Sequence, residues 1–167
     1  MPSANKGVNT PTLAEGDDSE LGSGFKGRFT AQLDAKQRVA VPAKLRRNTP
    51  GGAADQFVIT LGLDGCLFLF PPEKWDQIVA RIQEVSFTGD RAKFFTRMLA
   101  SHAEDVELDG QSRILIPQPL IEKTGIKKEV TFVGAINRIE IWRPDAFEKY
   151  LQEHTESYEK VAEEFLL

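Results

Sequence analysis

Ten residues, Leu33-Asp34-Ala35-Lys36-Gln37-Arg38-Val39-Ala40-Val41-Pro42, recur seventy-five positions later as Leu108-Asp109-Gly110-Gln111-Ser112-Arg113-Ile114-Leu115-Ile116-Pro117. The shared pattern L-D-x-x-x-R-[VI]-x-[VI]-P has four identities and two conservative matches without a gap, so the chain reads as two copies of one unit. The likeness continues from Val58-Ile59-Thr60-Leu61-Gly62 to Trp75, which lines up with Val130-Thr131-Phe132-Val133-Gly134 to Phe147 at an offset of seventy-two. On that alignment the first copy carries three extra residues, and the Pro and Gly of Asn48-Thr49-Pro50-Gly51-Gly52 place them in a loop.

A single unit of about sixty residues would bury only about 60% of its unfolded surface and be marginal. Two interlocked copies within 167 residues can share one core. The expected segments are a disordered tail (1–24), a first repeat (25–85), a linking helix (86–104), a second repeat (105–155) and a C-terminal helix (156–167). The tail is rich in Ser, Gly, Asn, Pro, Thr and acids, with too few aliphatic residues to offset the entropy of ordering.

Alternation of Phe29, Ala31 and Leu33, then of Val39 and Val41, predicts two short strands joined in a hairpin at Asp34-Ala35-Lys36-Gln37. Asp34 can accept hydrogen bonds from backbone N–H groups two residues on and so hold that turn, and Asp109 stands at the same place in the second copy. Pro42 suits the first position of a short basic helix, Pro42 to Arg47. Phe57 to Phe70 predicts a hairpin turning at Asp64-Gly65. Pro72 to Val85 predicts a helix whose stripe of Trp75, Ile78, Val79 and Ile82 belongs to the core. A helix over Asp90 to His102, capped by Asp90, bridges the copies. The second copy repeats both hairpins, with Gly125 as a helix C-cap. Pro144 opens a final helix whose apolar stripe runs through Tyr150 to Tyr158, Val161, Phe165 and Leu166, a surface suited to a second subunit.

The net charge of -4 speaks against nucleic acid, but its distribution does not. Residues 25–50 hold Lys26, Arg28, Lys36, Arg38, Lys44, Arg46 and Arg47 against Asp34 alone. The equal window 100–125 holds Arg113 and Lys123 against five acids. Cys66 is the only cysteine and falls in an apolar strand, so a buried structural thiol in a reducing compartment is expected. No apolar run is long enough for a membrane span and no signal peptide is evident, so a cytoplasmic location is expected.

Catalysis has little to work with. His102 and His154 lack a neighbouring Cys or paired carboxylate, and no nucleophile elbow or phosphate-cradling loop is present. No metal site or cofactor is expected from two distant histidines and one cysteine. Arg38 and Arg113 allow two readings. Each can tie off its own turn through the preceding Asp, or fork onto a phosphate or onto guanine O6 and N7 in the major groove. Lys36, Arg28, Lys44, Arg46 and Arg47 are candidate phosphate contacts or solvated surface charges. A scaffold that binds a protein partner through the basic patch is the non-enzymatic alternative.

From Phe25 to about His154 the sequence resembles the MraZ family of bacterial proteins, within the AbrB-like swapped-hairpin superfamily. The likeness rests on both L-D-x-x-x-R motifs, on Pro42-Ala43-Lys44, on Gly62-Leu63-Asp64-Gly65-Cys66-Leu67 and on Asn137-Arg138-Ile139-Glu140-Ile141-Trp142. It implies an α+β, mostly β fold: a pseudo-twofold swapped-hairpin (double-psi-like) barrel with flanking helices. It also implies a nucleoid-associated transcriptional regulator of its own operon in the division and cell-wall gene cluster. Such a protein binds repeated boxes in double-stranded promoter DNA as a ring-like homo-oligomer, with the paired D-x-x-x-R motifs as its DNA-binding face. It takes no small-molecule substrate. Gln37 and Ser112 stand where the family usually has Gly, at a position expected to need φ > 0, and the tail before Phe25 is a further departure.

Overall fold

The computed structural model describes residues 24–49, 55–85, 89–154 and 157–167. The tail expected to be disordered, residues 1–24, thus lies outside the described residues except for Gly24. In chain order the strands are β1 (Arg28–Gln32), β2 (Arg38–Ala40), β3 (Gln56–Leu61), β4 (Leu67–Phe70), β5 (Glu104–Glu107), β6 (Arg113–Leu115), β7 (Glu129–Gly134) and β8 (Ile139–Trp142). The helices are α1 (Ala43–Arg46), α2 (Pro72–Glu84), α3 (Asp90–Ser101), α4 (Gln118–Thr124), α5 (Pro144–His154) and α6 (Tyr158–Leu166). The fold is mixed α and β, with an antiparallel six-stranded sheet ordered β1-β7-β8-β4-β3-β5 and a two-stranded ribbon β2-β6.

The sheet order bears out the swapped hairpins that the resemblance implies and corrects the local reading of β1 and β2 as one hairpin. β1 and β2 are joined by the Asp34 turn but do not pair with each other. β1 pairs with β7 of the second copy, β5 pairs with β3 of the first, and β2 pairs with β6. Local alternation marks a strand but not its partner, and the exchange sets Val39 opposite Ile114 with both fully buried. The order of the sheet is unchanged when the copies are interchanged. In β4-β8 the equivalent residues Phe68 and Glu140 face each other, and in β2-β6 Val39 faces Ile114. The pseudo-twofold axis passes between those two pairs.

The same registers correct the repeat alignment. β1 places Ala31 opposite Val130, and β5 places Val106 opposite Phe57. Phe57 is therefore the counterpart of Val130, an offset of seventy-three, and the offset of seventy-two begins only at β4. Two of the three extra residues precede β3, and the third lies in its turn, where five residues (62–66) do the work of four (135–138).

One core serves both copies. Val39, Leu45, Phe57, Ile59 and Leu69 meet Ile114, Leu120, Val130, Phe132 and Ile141, all at most 1% exposed. A smaller cluster joins Cys66, Trp142 and Phe147, with Tyr150 at its margin. Cys66 is buried as expected, but it closes the Leu63–Cys66 turn rather than lying within β4, and burial pushes its thiol pKa up to about 12. Asp64 and Gly65 both have positive φ, the pairing of a type I′ turn, which matches the right-handed twist of the strands it joins.

The helices depart further from expectation. Pro42 and Pro117 sit at the N-cap, one residue before α1 and α4. Gly89 occupies the N-cap of α3; Asp90 is its first residue and pairs instead with Lys93. Gly125 caps α4 at φ 69° as expected. The α2 stripe is only half-buried rather than core, because it lies at the margin of β3 and β4, with Trp75 against Phe70. α3 buries no residue and leaves Phe94 and Phe95 exposed. The apolar stripe expected to run on from Pro144 is divided between two helices, α5 and α6, and Tyr158, Val161, Phe165 and Leu166 are exposed on the second. Among the described residues no helix is long and apolar enough to cross a membrane.

Candidate nucleic-acid interface

The β2-β6 ribbon has an inner and an outer side because side chains alternate along a strand. Val39 and Ile114 point inward and are fully buried. Arg38, Ala40, Arg113 and Leu115 share the other side, with Ala40 opposite Arg113 and Arg38 opposite Leu115. The strand exchange thus brings together two arginines from opposite halves of the chain on one short ribbon.

Each arginine emerges from a tightly closed turn. The Asp34 N–H donates to the Arg38 carbonyl at 2.9 Å and the Gln37 N–H to the Asp34 carbonyl at 3.0 Å; Asp109, Arg113 and Ser112 repeat this at 2.9 Å in both bonds. Asp34 Oδ1 accepts from the Lys36 and Arg38 N–H groups, both at 2.9 Å, which is the turn-holding role expected of it. Asp109 Oδ1 does the same for Gln111 at 2.9 Å and Arg113 at 3.0 Å. The other oxygen of each carboxylate takes the arginine Nε, at 2.8 Å for Arg38 and 2.9 Å for Arg113. Arg38 is held through Nε, and its two terminal nitrogens can serve a further acceptor. Arg113 Nη1 also reaches Asp34 Oδ2 at 3.5 Å, linking the two turns.

The turns interlock. Val41 N–H donates to the Ser112 carbonyl and Ile116 N–H to the Gln37 carbonyl, both at 3.0 Å. Gln37 and Ser112 adopt φ 64° and 60°, the left-handed conformation expected at those positions. The Gln37 side-chain amide donates to Gln118 Oε1, at the start of α4, a tie across copies.

Both carboxyls are held below their ordinary value of 3.8: Asp34 first by the Arg38 backbone N–H and then by its guanidinium and the Lys36 N–H, Asp109 first by the Arg113 N–H, then by that of Gln111 and the Arg113 side chain. A depressed carboxyl binds fewer protons folded than unfolded, so its contribution is complete above the unfolded value and is lost as pH falls through the folded one. Thermal melts from about pH 6 down to about pH 2 should therefore show a steeper loss below about pH 4 for the native chain than for Asp34→Asn/Asp109→Asn. Parallel curves would mean that the turns do not carry this linkage.

The remaining sites are spread out. Lys36 is exposed at the tip of the first turn, and Lys44 and Arg47 are exposed on and just after α1. Arg46 is half-buried and its Nε donates to the Val41 carbonyl at 3.1 Å. Arg28 stands apart from the arginine pair: it bonds Glu148 and lies 4.8 Å from the Phe147 ring centroid on α5. The structure adds neighbours that the sequence windows did not include. A groove of about 500 Å³ beside the first turn is lined by Asp34, Ala35 and Gln37 together with Lys127 and Lys128 of the second copy. Window 100–125 ends just short of these lysines, and only the pairing of β1 with β7 carries them to the first turn. Among the described residues no group of His, Cys, Asp and Glu is arranged to hold a metal.

The family model described as "MraZ protein, putative antitoxin-like" matches this chain twice, over residues 25–98 and 99–167. A protein of Natranaerobius thermophilus named transcriptional regulator MraZ is 39% identical over 142 residues, covering 85% of this chain and 96% of that protein. Proteins of the same name from Thermoanaerobacter pseudethanolicus and Heliobacterium modesticaldum are 41% and 38% identical, covering 82% and 85% of this chain and 93% and 96% of their own. With a family model matching each half and relatives aligned over nearly their whole length, the chain belongs to the MraZ family.

Proposed function

We propose that this chain is a non-enzymatic, DNA-binding transcriptional regulator, acting on repeated boxes in the promoter of its own operon in the bacterial division and cell-wall gene cluster. The observation that carries the reading is the ribbon, which presents Arg38 and Arg113 on one outer side, each oriented by a carboxylate. Arginines fixed in this way can fork onto guanine or phosphate with little further loss of side-chain entropy. Lys36 adds charge at the tip of the first turn and Lys44 and Arg47 add exposed charge at α1; with Arg46 they would set position rather than read sequence. The names of the relatives as transcriptional regulators favour the same reading.

The active form in this reading is a ring-like homo-oligomer, consistent with the exposed Phe94 and Phe95 of α3 and the exposed apolar residues of α6, surfaces that a lone subunit leaves wet. Footprinting on the DNA upstream of the protein's own gene should give protection at regularly spaced repeats, and light scattering on the same sample should give a mass of several subunits. Uniform weak protection along the fragment, or a monomer at micromolar concentration in low salt, would overturn the corresponding part.

A further inference from the structure

We infer that Lys127 and Lys128 bind the DNA backbone beside the first turn, so that each subunit presents one basic and one acidic flank to the duplex. This rests on the DNA-binding reading above and adds two residues and a polarity to it.

The strand exchange creates the site. Leu33 N–H donates to the Lys128 carbonyl at 2.8 Å, which anchors the approach to β7 directly before the Asp34 turn. At the pseudo-symmetric place, Leu108 N–H donates to the Asp55 carbonyl at 2.8 Å, just before the Asp109 turn. The backbone is the same on both sides, but the side chain is a lysine on one and an aspartate on the other. The first turn also carries Lys36 at its tip, where the second carries Gln111. Lys127 and Lys128 are exposed and stand in none of the ion pairs of the described residues, whereas Asp34 in the same groove is occupied by Arg38 and Arg113. Glu129, the acid next along β7, accepts from the Gln32 side-chain amide at 3.4 Å and keeps its charge, so the stretch 127–129 stays net positive. The lysines are thus free to meet an anion, and a duplex seated on the ribbon arginines offers its phosphates to the flanks of the two turns.

Lysines that bind phosphate carry no base information, so their loss should weaken all sequences alike and reduce the salt dependence. The full-length Lys127→Gln/Lys128→Gln variant should bind the promoter fragment and an unrelated duplex less tightly by the same factor. Its slope of log K against log salt should be shallower by about 0.9 for each phosphate no longer neutralised. Lys127→Arg/Lys128→Arg should keep the native slope, and Lys149→Gln, on α5, should leave it unchanged. A native slope in the glutamine variant, or an arginine variant as weak as the glutamine one, overturns the inference while leaving the DNA reading standing. Absence of any salt-dependent binding by the native chain overturns both.

Discussion

Arg38→Ala is expected to weaken binding to promoter DNA by about 1–3 kcal/mol, and by more where several subunits bind together, while Arg113→Ala costs less. The two residues share a motif and a ribbon but not their surroundings. Arg38 is held by one carboxylate and its side chain is 34% exposed; Arg113 is held by two and is 25% exposed. Lys36, Lys127 and Lys128 surround the first turn, and Asp55 adjoins the second. Flanking charge sets the local attraction for phosphate, so the basic flank should own most of the salt dependence. Both variants first need to assemble as the native chain does. Titration against the promoter at two salt concentrations then decides the order, and a larger loss for Arg113→Ala would show that the second copy leads recognition.

Phe132→Ala is expected to destabilise the chain by about 3–5 kcal/mol, and to do so for both copies at once. Phe132 is fully buried in β7, opposite Phe29 of β1 on one side and Ile141 of β8 on the other. Its removal opens a cavity where strands of both copies meet. Because β1 and β5 are each lent to the other half, neither copy has a sheet of its own to fall back on. Urea unfolding should move to lower concentration with an unchanged slope, and far-UV circular dichroism and tryptophan fluorescence should stay coincident. Separated transitions would mean that the halves fold apart despite the exchange.

The elements were legible in the sequence wherever a local signal decides them. Asp64-Gly65 marked its hairpin, Gly125 its cap, and the Asp34 and Asp109 turns their hydrogen bonds, because each depends on neighbours within a few residues. What escaped depends on residues far apart in the chain. Pairing of β1 with β7 leaves no mark on β1 itself, and with it went the approach of Lys127 and Lys128 to the first turn. The α2 stripe had the period of a core helix, yet periodicity reports which face is apolar and not how deeply that face is covered. The misplaced offset had a similar origin: matching Gly62 to Gly134 satisfied the letters, while the register matches Phe57 to Val130 and leaves the difference in the turn.

The pair Phe68 and Glu140 has a consequence for what such a chain can become. In an assembly of two identical single units, a residue on the dyad must face its own twin, so a glutamate there would meet a glutamate and only self-compatible side chains could be used. Joining the two units in one polypeptide lifts that restriction. Here the dyad holds an aromatic ring against an acid, with Arg138 bonded to Glu140 at 3.0 Å and lying 4.6 Å from the Phe68 ring centroid. No homodimer of the single unit could build that trio with one copy of each member. Fusion thereby turns a symmetric frame into one with a distinguishable left and right, free to diverge on each side of a backbone that remains nearly the same.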